Sequence, residues 1–308
     1  MGSLLLRLVC LFLALSVLAG QALAGDVPRS ARPALWTVEA GAGRMYLLGS
    51  IHLLPPETQW QTPEIRAALA ASQVFVFEAP IHDANDAMAR FVERHGRLKD
   101  ERLRDLIGRD AHDKVSKAAW KVQYPPRLLE RLRPWLAAIH LELHASLRLG
   151  SSPHYGVDHV IEQMATKRQM RTAYLETVDE QLSNFLKLSR NEEIAYLNAT
   201  AAGILTKPDG PRELLEAWAV GDVSRLEFLI DEGLAGVPQL KALLLTARNR
   251  KWMNAIEGML ETGETHFVTV GAAHLVGRDG LIGMLRARGY KVSGPAADAL
   301  PPGTRSLR

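Results

Sequence analysis

Between residues 36 and 292 the chain alternates short apolar runs with long amphipathic ones. Six short runs, at 36–38, 45–48, 74–77, 172–175, 267–270 and 290–292, read as strands. The internal ones are mostly apolar without polar alternation, the pattern of strands covered on both faces in a largely parallel sheet. Helical periodicity fills 63–71, 83–98, 103–120, 127–147, 157–168, 179–205, 212–229, 237–262 and 278–288. The fold expected is α/β, with a small, largely parallel central sheet and extensive helical insertions at about 81–150 and 179–262. Neither insertion repeats itself with a solenoid period of 20–50 residues. The Pro- and Gly-containing stretches at 124–126, 150–153 and 207–211 read as turns between helices, so a single domain is expected over 25–308.

Composition then narrows the picture. With 308 residues and 47% apolar content the chain can bury a substantial core. Its first 24 residues read as a secretory signal: Arg7, an apolar run at 8–19, then small residues ending Ala22-Leu23-Ala24. The run of about 12 residues reaches roughly 18 Å as a helix, short of the roughly 30 Å of a bilayer core. The expected protein is therefore exported, periplasmic or secreted, with a membrane contact only if this segment is retained. Cleavage removes Cys10, the only cysteine. That excludes disulfides, thiolate nucleophiles and cysteine-ligated metals from the mature chain. A formal charge of +3, spread along the sequence, leaves no footprint for nucleic acid.

The candidate chemistry lies at strand ends. Gly49-Ser50-Ile51-His52 follows one apolar run and Gly271-Ala272-Ala273-His274 another, more than two hundred residues later. Two more strands end in an acid, Glu78 and Glu176. Ligands of open α/β sheets bind at the carboxyl ends of parallel strands, so these four groups can converge on one edge. Glycine in each motif suits a close backbone approach. His140 and His144 share a helical face, but Glu142 sits about 200° from His140, so the pair reads as helix packing and not as H-E-x-x-H. His82, His95, His112, His154, His159 and His266 lack repeated context and read as surface or packing residues. The glycines at 277 and 280 read as the opening of the last helix, and no G-x-S-x-G elbow occurs.

The paired Gly-x-x-His motifs resemble the TraB/PrgY/GumN family, which includes the Tiki metalloproteases. Further agreement comes from Leu35-Trp36, Phe77-Glu78, Tyr155-Gly156-Val157-Asp158, Leu175-Glu176-Thr177 with Gln181, Trp218 before Gly221-Asp222, and Arg248-Asn249 with Trp252. These matches extend from about residue 35 to 292. The resemblance implies an erythromycin esterase/ChaN-like fold and metal-dependent hydrolysis of peptides. On that reading His52, His274 and Glu78 would hold a divalent transition metal (Mn, Co or Zn), which would lower the pKa of bound water and polarise a carbonyl. Glu78, Glu176, Arg248 and Asn249 are the catalytic candidates, with Glu176 a general base or a support to the ligands. Ser50, Tyr155 and Arg248 are candidate contacts to a peptide or small-molecule substrate, Arg248 through a carboxylate or a developing oxyanion. Asn249 would donate a hydrogen bond, Trp252 would pack beside the Arg248 stem, and Asp158 would mark a helix start. Two other readings stand beside this one: a metal-free hydrolase in which His and Glu activate water, and a non-catalytic ligand- or peptide-binding regulator.

Overall fold

The computed structural model describes residues 29–80 and 84–295; the expected signal at 1–24 and His82 lie outside the described residues. All six expected strands form, as β1 (Leu35–Ala40), β2 (Gly43–Ser50), β3 (Val74–Phe77), β4 (Arg171–Tyr174), β5 (Thr265–Gly271) and β6 (Lys291–Ser293). They make one sheet in the order β4-β3-β5-β2-β1-β6. The β4, β3, β5 and β2 strands run parallel. β1 folds back against β2 as an antiparallel hairpin, and β6 pairs antiparallel with β1. The sheet is therefore α/β and mostly parallel. One expectation needs correction: β4 is largely exposed, not covered on both faces. Among the described residues β3 is its only strand neighbour, so its polar Arg171 and Thr172 meet solvent as edge residues do.

Helix α1 (Pro63–Ala71) starts where the Thr62 hydroxyl accepts the Ile65 N–H and proline takes the first turn. Helix α2 (Ala84–His95) follows β3. Several long amphipathic stretches break where the backbone demands it. The 103–120 run divides into α3 (Leu103–Ile107) and α4 (Arg109–Lys121) at Gly108, whose φ of 80° ends a right-handed helix. The 127–147 run makes a 3-10 turn (Pro126–Leu128) and becomes α-helical only at α5 (Pro134–Leu147), because proline holds the preceding Arg133 extended. After α6 (Val157–Lys167), the 179–205 run yields α7 (Val178–Ser183), a 3-10 turn (Asn184–Lys187) and α8 (Arg190–Thr206). Reciprocal side-chain caps at Thr177/Glu180 and Ser189/Glu192 start α7 and α8. The 212–229 run parts into α9 (Gly210–Ala219) and α10 (Val223–Leu234) at Gly221, where the Asp222 carboxylate caps the new helix. The 237–262 run contains α11 (Pro238–Lys241), a π-turn (Ala242–Thr246) and α12 (Ala247–Glu261); α13 (Leu281–Ala287) precedes β6.

The apolar interior forms two clusters. One joins the sheet to helices on its faces, with Leu47, Val76, Val268, Trp218 and Trp252 buried together. The other lies inside the helical insertions and holds Tyr124, Trp135, Leu141 and Leu197. Phe77 and Leu175 belong to the first cluster while Ala79 and Val178 belong to the second. Glu78 and Glu176 therefore sit at the seam between them. Among the described residues, no helix is long and apolar enough to cross a membrane.

Candidate active site

The parallel register brings the two Gly-x-x-His motifs side by side, with Gly49 opposite Val270 and Ser50 opposite Gly271. His52 follows β2, Glu78 follows β3, Glu176 follows β4, and His274 closes the 3-10 turn (Ala272–His274) after β5. The four candidates thus leave four contiguous strands at one edge, and the Glu176 N–H donates to the Glu78 carbonyl at 2.9 Å. The glycines have separate tasks. A side-chain carbon at Gly49 would stand 2.9 Å from the Ala272 Cα, so this glycine lets the two motifs touch. One at Gly156 would lie 2.3 Å from the His52 carbonyl. One at Gly271 would stand 3.2 Å from Glu78 Oε1, 3.5 Å from His52 Nε2 and 3.7 Å from His274 Cδ2. All three side chains therefore converge on Gly271.

Arg248 is the hub of the buried half. Its Nε donates to Glu176 Oε1 at 3.0 Å, and its Nη2 to Glu78 Oε2 at 2.5 Å and Glu176 Oε1 at 2.6 Å. Its Nη1 lies 3.0 Å from both the Leu244 carbonyl and His274 Nε2. All five N–H groups of the guanidinium are thus engaged by the protein, leaving none directed at a substrate. The Trp252 ring lies under the guanidinium, 4.6 Å from its carbon, as the one-turn spacing implied, and its Nε1 donates to Glu176 Oε2 at 3.3 Å. Burial disfavours charge on Arg248, but Glu78 and Glu176 more than restore it. Burial likewise pushes the Glu78 carboxyl up, yet the facing His274, Arg248 and His52 groups and the Gly271 amide hold it well below the usual range. Because His274 is neutral, Arg248, His52 and the amide carry that effect near neutral pH. The Gly271 N–H reaches Glu78 Oε1 at 2.6 Å, and Gln181 donates to Oε2 at 3.1 Å. For Glu176 burial prevails over the Arg248 bonds and leaves the carboxyl raised.

The two imidazoles differ. His274 is buried, and burial lowers its pKa to about 3. Its Nδ1 lies 2.6 Å from Asn249 Oδ1, and Asn249 Nδ2 donates to the His274 and Asp279 carbonyls. Asn249 therefore sets the tautomer: Nδ1 carries the proton and Nε2 accepts from Arg248. His52 is half exposed, its side chain 48% open, and its Nδ1 lies 2.8 Å from Asp158 Oδ2. Asp158 is the main cause of a His52 pKa raised to about 9. Asp158 does lie in the first turn of α6, but its carboxylate also holds His52, a partnership invisible at 106 residues' separation. The Tyr155-Gly156-Val157-Asp158 motif was the available signal. Tyr155 is exposed in the 3-10 turn (Pro153–Tyr155) just before α6. Ser50 Oγ, Thr269 Oγ1 and Asp158 Oδ1 are buried without a hydrogen-bond partner among the described residues.

Both imidazoles are fixed through Nδ1 and present Nε2, the posture of metal-ligating histidines. Among the described residues, however, no group of three His, Cys, Asp or Glu side chains stands together as a cation site. The place enclosed by Glu78, Glu176 and His274 is taken by the Arg248 guanidinium. As arranged, these donors do not fit a divalent ion. The His140–His144 pair is a packing feature: His140 is buried, and its Nδ1 lies 3.1 Å from the Tyr124 hydroxyl. An open hollow of about 730 Å³ between the start of α4 and α8, lined by Arg109, Lys114 and Asn198, touches none of the site residues.

The parallel strands of this mixed sheet thus gather two Gly-x-x-His motifs and two buried acids at their carboxyl edge. Residues 34–294 match the TraB/PrgY/gumN family, and the chain belongs to that family. No curated protein and no solved structure matches it.

Proposed function

We propose that this chain hydrolyses ester or amide bonds, with His52, oriented by Asp158, taking a proton from water in the space above Gly271. The observation that carries this reading is that His52 Nε2 and Glu78 Oε1 converge over Gly271, 3.5 and 3.2 Å from where a side-chain carbon there would stand, while the His52 ring remains half open to solvent. The bond to Asp158 keeps a proton on Nδ1, so His52, in the neutral form that grows as pH rises toward about 9, offers its Nε2 lone pair to water held against Glu78. As the water oxygen bonds to the substrate carbonyl carbon, its proton passes to Nε2 and Asp158 stabilises the imidazolium. Nε2–H then returns the proton to the departing alcohol or amine as the carbonyl re-forms. A positioned base of this kind contributes roughly 10²–10⁴-fold. Arg248 keeps Glu78 ionised and in place. The expected signal at 1–24 would put this activity outside the cytoplasm, and a peptide or small ester is the substrate class.

A second reading, metal-dependent peptide hydrolysis through His52, Glu78 and His274, is favoured by the Nδ1 anchoring of both rings. It requires Arg248 to give up His274. The two readings separate in one assay: hydrolysis of aryl esters and fluorogenic peptides by the purified chain, with and without a chelator. Turnover that survives chelation and falls roughly 10²–10⁴-fold in His52→Ala supports the first. Turnover lost on chelation and restored by manganese, cobalt or zinc supports the second. Equal turnover in His52→Ala refutes both.

A further inference from the structure

We infer that His274 is a positioning residue: a neutral acceptor that holds the Arg248 guanidinium, and through it Glu78, and exchanges no proton with water or substrate itself. The two Gly-x-x-His motifs match in sequence, yet they aim different atoms at Gly271. His52 turns its Nε2 there, 3.5 Å from where a side-chain carbon at 271 would stand, whereas the nearest His274 atom is the carbon Cδ2, at 3.7 Å. Both His274 nitrogens are taken elsewhere. Nδ1 lies 2.6 Å from Asn249 Oδ1, and Nε2 lies 3.0 Å from Arg248 Nη1. A guanidinium can only donate, so Nε2 brings the lone pair and Nδ1 carries the proton. Arg248 and Asn249 are consecutive in α12, so one short piece of helix grips both ring nitrogens. The ring is buried, and the Trp252 ring packs against it with centroids 4.5 Å apart.

The purpose of this contact follows from how the guanidinium is shared. Nη2 donates to Glu78 Oε2 at 2.5 Å and to Glu176 Oε1 at 2.6 Å. Nη1 meets neither acid; His274 Nε2 and the Leu244 carbonyl hold it, each at 3.0 Å. His274 thereby fixes the plane from which Nη2 reaches Glu78. A carboxylate in its place would put a third buried acid around one cation. An imidazolium would oppose donor to donor. A neutral ring with an inward lone pair meets both demands. Glu78 Oε1, 3.7 Å from Nε2, is then left to the Gly271 amide.

This inference rests on the hydrolysis proposed for His52, but its first readout needs no turnover. Long-range 1H–15N correlation spectra of the histidine-labelled full chain at pH 7, with the His274 signal assigned through its contacts to the Trp252 ring, report the tautomer. A neutral ring with its proton on Nδ1 is expected. A proton on Nε2, or on both nitrogens, would overturn the inference even if no variant folded. The second readout is aryl-ester turnover by wild type, His274→Ala and His274→Gln, with melting midpoints recorded. His274→Ala should lose about 10²-fold in kcat with KM little changed, as Glu78 leaves its place. His274→Gln, whose amide oxygen can stand where Nε2 stood, should recover to within about tenfold of wild type. A folded His274→Gln as inactive as His274→Ala would also overturn it, as would a folded His274→Ala as active as wild type. Wild type without turnover would count against the proposed hydrolysis alone, and the tautomer would still decide the role of His274.

Discussion

His52 and Asp158 stand 106 residues apart in sequence and 2.8 Å apart in space, joining the end of β2 to the first turn of α6. The carboxylate favours the imidazolium, so His52 is protonated below about pH 9. A base must be neutral, and the sign follows: kcat/KM for hydrolysis should rise with pH along a limb centred near 9. Asp158→Asn removes the stabilising charge, so the limb should move down toward the unperturbed value of about 6.5 while the plateau falls through loss of tautomer control. A pH–rate profile of the two proteins checks this. A limb unmoved by Asp158→Asn would detach His52 from the chemistry.

The two motif glycines should fail in different ways. Alanine at 49 would press its methyl to 2.9 Å from the Ala272 backbone, forcing β2 and the turn after β5 apart. The expected loss is about 1–3 kcal/mol of stability in denaturant unfolding. Alanine at 271 meets only side-chain atoms, the nearest at 3.2 Å, and the backbone φ of −51° suits it. Stability should change by less than about 1 kcal/mol while turnover falls at least tenfold, because the methyl fills the space assigned to water.

Arg248→Ala should be among the most destabilising substitutions in the chain, at about 3–5 kcal/mol, since it leaves two buried acids without their cation. Lysine should recover only part of this, having three donors at one point in place of a five-donor fork. Lower pH should also narrow the gap. Once the raised Glu176 carboxyl of the variant is protonated, less uncompensated charge remains. Urea unfolding of wild type, Arg248→Ala and Arg248→Lys at pH 7 and pH 5 measures all three effects.

His140 gives the fold a separate acid sensitivity. Burial lowers its pKa to about 4, so the unfolded chain takes up the proton first as pH falls below about 6.5. Stability should therefore decline between about pH 6.5 and pH 4, by up to about 3 kcal/mol in full. His140→Gln should flatten that part of the stability–pH curve. An unchanged slope would place the acid sensitivity elsewhere.

Much of the site was legible because strands announce themselves locally. Apolar runs at 45–48, 74–77 and 267–270 fixed where His52, Glu78 and His274 would emerge, and parallel pairing needs no further information to align them. What stayed hidden was how distant side chains divide the charge. Arg248 reads in sequence as a contact to a substrate carboxylate or developing oxyanion, yet the fold directs all its donors to Glu78, Glu176, His274 and the Leu244 carbonyl. Helix lengths were overestimated for a different reason. Periodicity continues through Gly108 and Gly221, whereas the positive φ at each redirects the backbone.

The π-turn at Ala242–Thr246 gives the segment before Arg248 one residue more than a regular helix would use, with the Ala247 N–H reaching back five residues to Ala242. Each residue turns a helix by about 100°, so this extra residue acts as a phase setting for everything after it. Arg248, Asn249 and Trp252 all depend on that angle to face the sheet edge. Losing any one residue from the turn would leave a smoother, more regular helix whose three site residues look the wrong way.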